Sequence, residues 1–316
     1  MKKLVGYITS SLPNNNFTID LAYSMKEAGV DTLELGIPFS DPVADGPVIE
    51  KANLIALNNG FKLKDLFEVS SKIAKDIDTL WMGYMNPFYH YGMEKILQKA
   101  DEYNIQGTII PDLPFEMAQN FDSLFEKYNK ANISFVAPTD SEERIKTIIS
   151  NSKKFIYMVA YAGITGSGQK EDLSLIIENV RKYSNTPLYI GFGVDEKSCK
   201  EKIIGVDGVI VGSAFVKHII DDSLSNDEKI KRISAIAKEI KGIASSVSAS
   251  ARAVCECRPR SAGCAAQHAN SANTSPTPRS HARSRSARNP RRTSKCASIT
   301  STSPSPSSCS SKRWSR

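Results

Sequence analysis

Eight short runs of β-branched and other apolar residues, at 4–9, 32–36, 79–84, 107–111, 133–137, 155–159, 188–191 and 208–211, alternate along this chain with longer stretches of helical period. That rhythm restricts the fold more than any other feature. The runs are strand-sized, and a helix between successive strands lets each return parallel to the last. In the stretch 18–28, Ile19, Ala22, Met25 and Ala28 share a face and Gly29 stops the helix. In 227–243, Ile230, Ile233, Ile236, Ala237 and Ile240 form one stripe. Eight strand–helix units in roughly 240 residues match the α/β class and, within it, a (β/α)8 TIM barrel. A doubly wound open sheet would favour a glycine-rich turn after the first strand. Thr9-Ser10-Ser11-Leu12-Pro13 stands there instead, and the glycine clusters follow the sixth, seventh and eighth strands.

The pattern predicts a barrel domain over 1–243 and a tail over 244–316, and composition divides at the same place. Residues 1–243 hold 25 Lys and 3 Arg against 33 acidic side chains, a net charge of −5. Residues 244–316 hold 2 Lys and 11 Arg against Glu256 alone, a net charge of +12. The overall +7 therefore belongs to the tail and gives no reason to read the body as a nucleic-acid binder. The tail is Ser, Arg, Ala, Pro, Thr and Cys without period, cannot bury enough surface to offset its ordering entropy, and is predicted to be disordered. Arg279, Arg283, Arg285, Arg288, Arg291 and Arg292 would suit an anionic surface. The abrupt exchange of Lys for Arg reads more simply as a junction between unrelated reading frames, a non-native extension. Cys255-Glu256-Cys257 lacks the second ligand pair of a zinc site. Cys199 is the one cysteine of the body, as in a reducing compartment. No apolar run approaches the roughly 20 residues of a membrane span, and Met1 to Gly6 enter a strand pattern without a signal-peptide core, so a cytoplasmic body is expected.

The second strand carries the first chemical signal. Side chains alternate across a strand, so if Leu33 and Leu35 face the helices, Glu34 points into the barrel. A carboxylate there is costly unless paired, and burial should raise its pKa. It also lies near the C-terminal strand end, where barrel active sites are built. A structural Glu bonded to an interior Lys or Arg is the competing reading. Asp45 follows eleven residues later, in a loop rich in Pro and Gly that must fold over the barrel mouth. Alone, an Asp before Gly is a turn residue, and Asp41 before Pro42 is read in that way. Two carboxylates reaching one mouth would suit general acid–base work.

A second signal is phosphate-shaped. Gly163-Ile164-Thr165-Gly166-Ser167-Gly168 follows the sixth strand, Gly191-Phe192-Gly193 the seventh, and Gly212-Ser213 the eighth. Glycines let backbone N–H groups approach an anion, and the loops after the last two strands are where barrels commonly hold phosphate. Each motif is weak alone, because tight turns also need glycine.

The segment ELGIPFSDPVADGP at 34–47 resembles the signature of tryptophan synthase alpha subunits. The resemblance runs over about residues 4–243 and includes Tyr84-Met85-Asn86-Pro87, Pro111-Asp112-Leu113-Pro114, Gly163-Ile164-Thr165-Gly166, Gly191-Phe192-Gly193-Val194 and Val211-Gly212-Ser213-Ala214. It implies retro-aldol cleavage of indole-3-glycerol phosphate to indole and glyceraldehyde 3-phosphate in tryptophan biosynthesis, with no metal or cofactor in this subunit. Glu34 matches the family's acid–base residue, and Asp45 the group that hydrogen-bonds the indole N–H. The resemblance also implies that Tyr7, Ile49, Met82, Tyr84 and Phe192 line the indole pocket. Tyr157 would touch Glu34, and Thr165 would bond Asp45 when the loop closes. Backbone N–H groups of Gly166, Gly193, Gly212 and Ser213 would hold the phosphate. It further implies a pyridoxal-phosphate beta subunit as partner in an alpha2-beta2 heterotetramer, facing Asn86, Pro87, Asp112 and Pro114. The chain departs from the family pattern at Ser10-Ser11-Leu12-Pro13, where Gly-Asp-Pro is usual, and at Tyr161, where Arg is common. The first strand begins almost at Met1, where the family pattern has an N-terminal helical extension before it.

Two other functions compete with this reading. Another phosphate-binding barrel would normally present a catalytic lysine on a strand, and no strand here does so convincingly. An inactive alpha-like protein that only activates a beta subunit would not need both Glu34 and Asp45. His90 and His218 are isolated in sequence and read as surface or helix-packing residues.

Overall fold

In the computed structural model, which describes residues 1–159, 173–191 and 193–256, nine strand segments form one parallel sheet. They are β1 (Lys3–Thr9), β2 (Thr32–Gly36), β3 (Asp78–Met82), β4 (Gly107–Ile109), β5 (Ala131–Asn132), β6 (Ser134–Val136), β7 (Ile156–Val159), β8 (Leu188–Gly191) and β9 (Gly208–Val211). Their order is β5-β4-β3-β2-β1-β9-β8-β7-β6. The two outermost segments are consecutive in the chain, separated by Ile133 alone. β5 pairs with β4, β6 pairs with β7, and the Ile133 N–H donates to Thr108 O at 3.0 Å. One barrel strand is thus shared between both neighbours, and the sheet closes on itself as eight staves. The expected fifth strand at 133–137 begins two residues earlier and is split, because its pairing passes from one neighbour to the other at Ile133. The strands expected at 79–84 and 107–111 end at Met82 and Ile109, where the chain turns outward to build the mouth.

Helices connect the strands: α1 (Asn15–Glu27), α2 (Pro47–Asn58), α3 (Leu63–Ile73), α4 (Met85–Tyr91), α5 (Met93–Glu102), α6 (Phe115–Ala118), α7 (Asp122–Lys127), α8 (Glu142–Ile149), α9 (Ser174–Tyr183), α10 (Cys199–Lys202), α11 (Ser213–Ile219) and α12 (Asn226–Glu256). α1 starts three residues before the expected helical stretch at 18 because Asn14 caps it, accepting from Phe17 N at 3.0 Å. Gly29, at φ +101°, ends it as expected, with the Val30 N–H donating to Met25 O.

Strand alternation sorts the apolar side chains into two sets. Val5, Leu80, Ile109, Phe155, Tyr157, Tyr189 and Ile210 fill the lumen. Leu4, Ile8, Leu33, Leu35, Trp81, Met158, Ile190 and Val209 face the helices. Charge holds the barrel floor, where the strands begin. Lys154 Nζ reaches both Asp78 oxygens at 2.7 and 2.8 Å, and Asp207 accepts from Leu188 N at 2.8 Å and Arg181 at 2.6 Å. The chemistry is left to the other end.

α12 continues past the expected helix end at Ile243. Ile233, Ala237, Ile240 and Ala244 are fully buried and Val247 packs partly against the same core. The spacing of 4, 3, 4 and 3 keeps the stripe on one face, carried by residues too small to announce it. The disorder predicted for the tail concerns, from residue 257 onward, a segment outside the described residues.

Candidate active site

Glu34 sits where strand alternation placed it. β2 stands between β1 and β3, with Tyr7 and Leu80 in register with Glu34. Its side chain is buried at 2% exposure, and Oε1 has no hydrogen-bond partner. No Lys or Arg reaches it among the described residues, so the structural ion-pair reading does not hold. Burial pushes the Glu34 carboxyl up to about 8, with the charge of Asp45 adding to it. At neutral pH Glu34 therefore keeps its proton.

Asp45 comes over the mouth on the loop joining β2 to α2. The turn is closed by the Asp45 N–H donating to Pro42 O at 3.2 Å, and Pro47 opens α2. Asn53, buried on the second turn of α2, donates from Nδ2 to Asp45 Oδ2 at 3.2 Å. Burial raises the Asp45 carboxyl to about 6, while hydrogen bonds from Tyr84 and Asn53 pull it back down. The two carboxyls are thereby separated in acidity, one a proton donor and one an anion near pH 7. Sequence reasoning did not find Asn53. Nothing in the local pattern marks a polar residue eight positions beyond Asp45 as its partner.

A cavity of about 220 Å³ opens between them, lined by Tyr7, Glu34, Ala44, Asp45, Gly46, Ile49, Met82, Tyr157, Gly193, Val194, Ile210, Gly212 and Ser213. Tyr7, Ile49, Met82 and Tyr157 thus meet Glu34 and Asp45 in one space. Two glycines make room for the rings. A Cβ on Gly36 would overlap the Tyr7 ring and hydroxyl, and one on Gly191 would overlap those of Tyr157. Each tyrosine lies across the glycine of the next strand. Tyr84 behaves differently from expectation: it is buried behind Asp45, outside the cavity lining. Its hydroxyl accepts the Ala44 N–H at 3.1 Å, and its ring stacks on Phe39 at 5.4 Å. It shapes the Asp45 loop and leaves the pocket wall to Met82, two residues earlier.

Gly193, Gly212 and Ser213 line the same cavity, on the turns leaving β8 and β9. Only β1, carrying Tyr7, separates the strand of Glu34 from the strand leading to Gly212. Thr165, Gly166 and Phe192 lie outside the described residues. On the rim, Asn86, Asp112 and Pro114 are exposed and Pro87 is half-buried. Asp112 also has local work, accepting the Met85 N–H at 2.8 Å at the start of α4. His90 is exposed and His218 half-buried, and the described residues contain no cluster of three metal-ligating side chains.

A closed parallel barrel in which two carboxyls and glycine turns share one cavity at the C-terminal strand ends has the architecture of a barrel enzyme. A family model described as tryptophan synthase alpha chain matches residues 1–245. The tryptophan synthase alpha chain of Wolinella succinogenes is 56% identical over 242 residues, 76% of this chain and 95% of that relative. That of Petrotoga mobilis is 40% identical over 245 residues, again 76% and 95%. Among solved structures, tryptophan synthase subunit alpha from Campylobacter jejuni matches with a TM-score of 0.68 at 33% identity, covering 74% of this chain and 95% of that one. The alpha subunit from Legionella pneumophila matches with a TM-score of 0.69 at 29% identity, covering 78% and 93%. The chain belongs to the tryptophan synthase alpha chain family. It is a carbon–carbon lyase of tryptophan biosynthesis, cleaving indole-3-glycerol phosphate.

Proposed function

We propose that Glu34 and Asp45 divide the acid–base work of this cleavage. The observation that carries the reading is the single cavity on which both carboxyls open, one held near 8 and the other near 6. Glu34, protonated, delivers its proton to indole C3, and the ring becomes an indolenine-like cation. Asp45, ionised, accepts the indole N–H and stabilises that positive charge. The Glu34 carboxylate then takes the proton of the C3′ hydroxyl as the C3–C3′ bond breaks. The bonding pair returns to the ring, releasing indole and glyceraldehyde 3-phosphate and restoring the Glu34 proton. Tyr7, Ile49, Met82 and Tyr157 form the walls for the indole ring. Backbone N–H groups at Gly193, Gly212 and Ser213 hold the phosphate; the family resemblance adds Gly166 to that set and Thr165 and Phe192 to the substrate contacts, all three outside the described residues.

Family membership implies a beta-subunit partner. The finer reading is an alpha2-beta2 heterotetramer in which that subunit carries pyridoxal phosphate and docks on the rim. Asn86, Pro87, Asp112 and Pro114 lie there with the exposed side chains of Tyr89 and Met117 beside them. No helix among the described residues is long and apolar enough to cross a membrane, and the reaction suits the cytoplasm. The family match ends at residue 245, and the reading of 244–316 as a non-native extension rests on its composition.

The test is Glu34→Gln, assayed for indole release and for inhibition by inorganic phosphate. Release should fall about 1,000-fold with phosphate affinity unchanged. Wild-type release in that variant overturns the acid–base assignment.

A further inference from the structure

The turn after β8 is held from beneath by a cation. Lys202, the last residue of α10, donates from Nζ to Gly193 O at 2.7 Å. Ser198 Oγ lies 3.0 Å from the same carbonyl, but also 2.7 Å from Asp195 Oδ1. A hydroxyl has one proton, so Ser198 serves one acceptor at a time, whereas the ammonium has three. Asp195 meanwhile accepts the Ser198 and Lys197 N–H groups at 2.8 and 3.2 Å, which fixes the turn around the lysine. Lys202 is half-buried, so its bond to the carbonyl is charge-assisted and incompletely screened by water.

The consequence lies on the other side of the peptide. In a trans peptide C=O and N–H point in opposite directions. A Gly193 carbonyl drawn toward Lys202 therefore turns the Val194 N–H away from it. Gly193 and Val194 both line the cavity that Glu34 shares, while Lys202 does not. Gly193 sits at φ +63°, a conformation that glycine permits and that a carbonyl clamp would keep in one state.

We propose that Lys202 is a positioning residue for phosphate recognition: it pins the Gly193 carbonyl so that the Gly193–Val194 peptide presents the Val194 N–H to the phosphate end of the cavity. This rests on the phosphate reading of Gly193, Gly212 and Ser213, and the test separates the two. The full chain is assayed for indole release, with inorganic phosphate titrated as a competitive inhibitor and indole binding measured directly. Lys202→Met should weaken phosphate inhibition and raise KM roughly tenfold, with kcat within twofold and indole affinity unchanged. Gly212→Val, which fills the neighbouring turn, should also weaken phosphate inhibition. If it does while Lys202→Met leaves phosphate unaffected, the lysine has no positioning role and the cradle stands. If neither variant changes phosphate affinity, the cradle reading fails and the lysine's role with it. If Lys202→Met weakens indole and phosphate alike, the residue supports the fold at large, and the proposal is overturned.

Discussion

Asn53 donates from Nδ2 to Asp45 Oδ2 across 3.2 Å, tying the loop carboxylate to α2 from a site that is itself 1% exposed. The bond favours the ionised carboxyl, and without it Asp45 would keep its proton to higher pH. Asn53→Leu keeps the bulk and removes the donor. The acidic limb of kcat/KM should then move up by about one pH unit, lowering activity at pH 6.5 more than at pH 7.5. An unmoved limb would show that Asn53 does not set the acidity of Asp45.

Wild-type kcat/KM should trace a bell with limbs near pH 6 and pH 8. Below the first, Asp45 gains a proton and can no longer accept the indole N–H. Above the second, Glu34 loses the proton meant for C3. A profile that rises steadily to pH 9 would contradict the assignment of Glu34 as the initial donor.

The buried carboxyl also bears on stability, with a definite sign. Glu34 ionises near 4.5 when unfolded and near 8 when folded, so the folded chain holds a proton the unfolded chain has released. The stability attached to that proton is complete below pH 4.5 and is lost as pH rises to 8. An amide does not titrate. The stability advantage of Glu34→Gln should therefore grow from pH 5 to pH 8 and then level off, reaching about 5 kcal/mol. Thermal unfolding of both chains across that range measures it, and a constant difference would rule out the elevated acidity.

The two possible ends of the catalytic body should behave differently when cut. A chain ending at Glu256 keeps Ala244 and Val247 in their packing and should retain the stability and activity of the full chain. A chain ending at Ile243 loses both contacts, together with the last turns of α12 that hold them. It should unfold about 1–2 kcal/mol more easily in urea. Equal stability would mean that α12 contributes nothing beyond Ile243.

Some of the site was legible without coordinates because strand geometry leaves little choice. Leu33 and Leu35 could face the helices only if Glu34 faced the lumen, and β2 obeys that alternation. The glycines after β8 and β9 were legible as turns, and Gly193 and Gly212 line the cavity that Glu34 shares. Tyr84 was named for the pocket by the resemblance alone, and strand alternation does not extend to it. The strand ends at Met82, and the chain rotates Tyr84 behind Asp45.

The sequence by itself determined the barrel, the inward carboxyl and the kinship with alpha chains, since period, length and a contiguous signature are properties of one segment at a time. Tertiary structure alone decided that Asn53 would hold Asp45, that Lys202 would clamp Gly193, and that Ile133 would divide one stave between two neighbours. Each of these joins residues across a turn or across the sheet. Such distances are fixed by how helices pack on the closed barrel, which no local periodicity encodes.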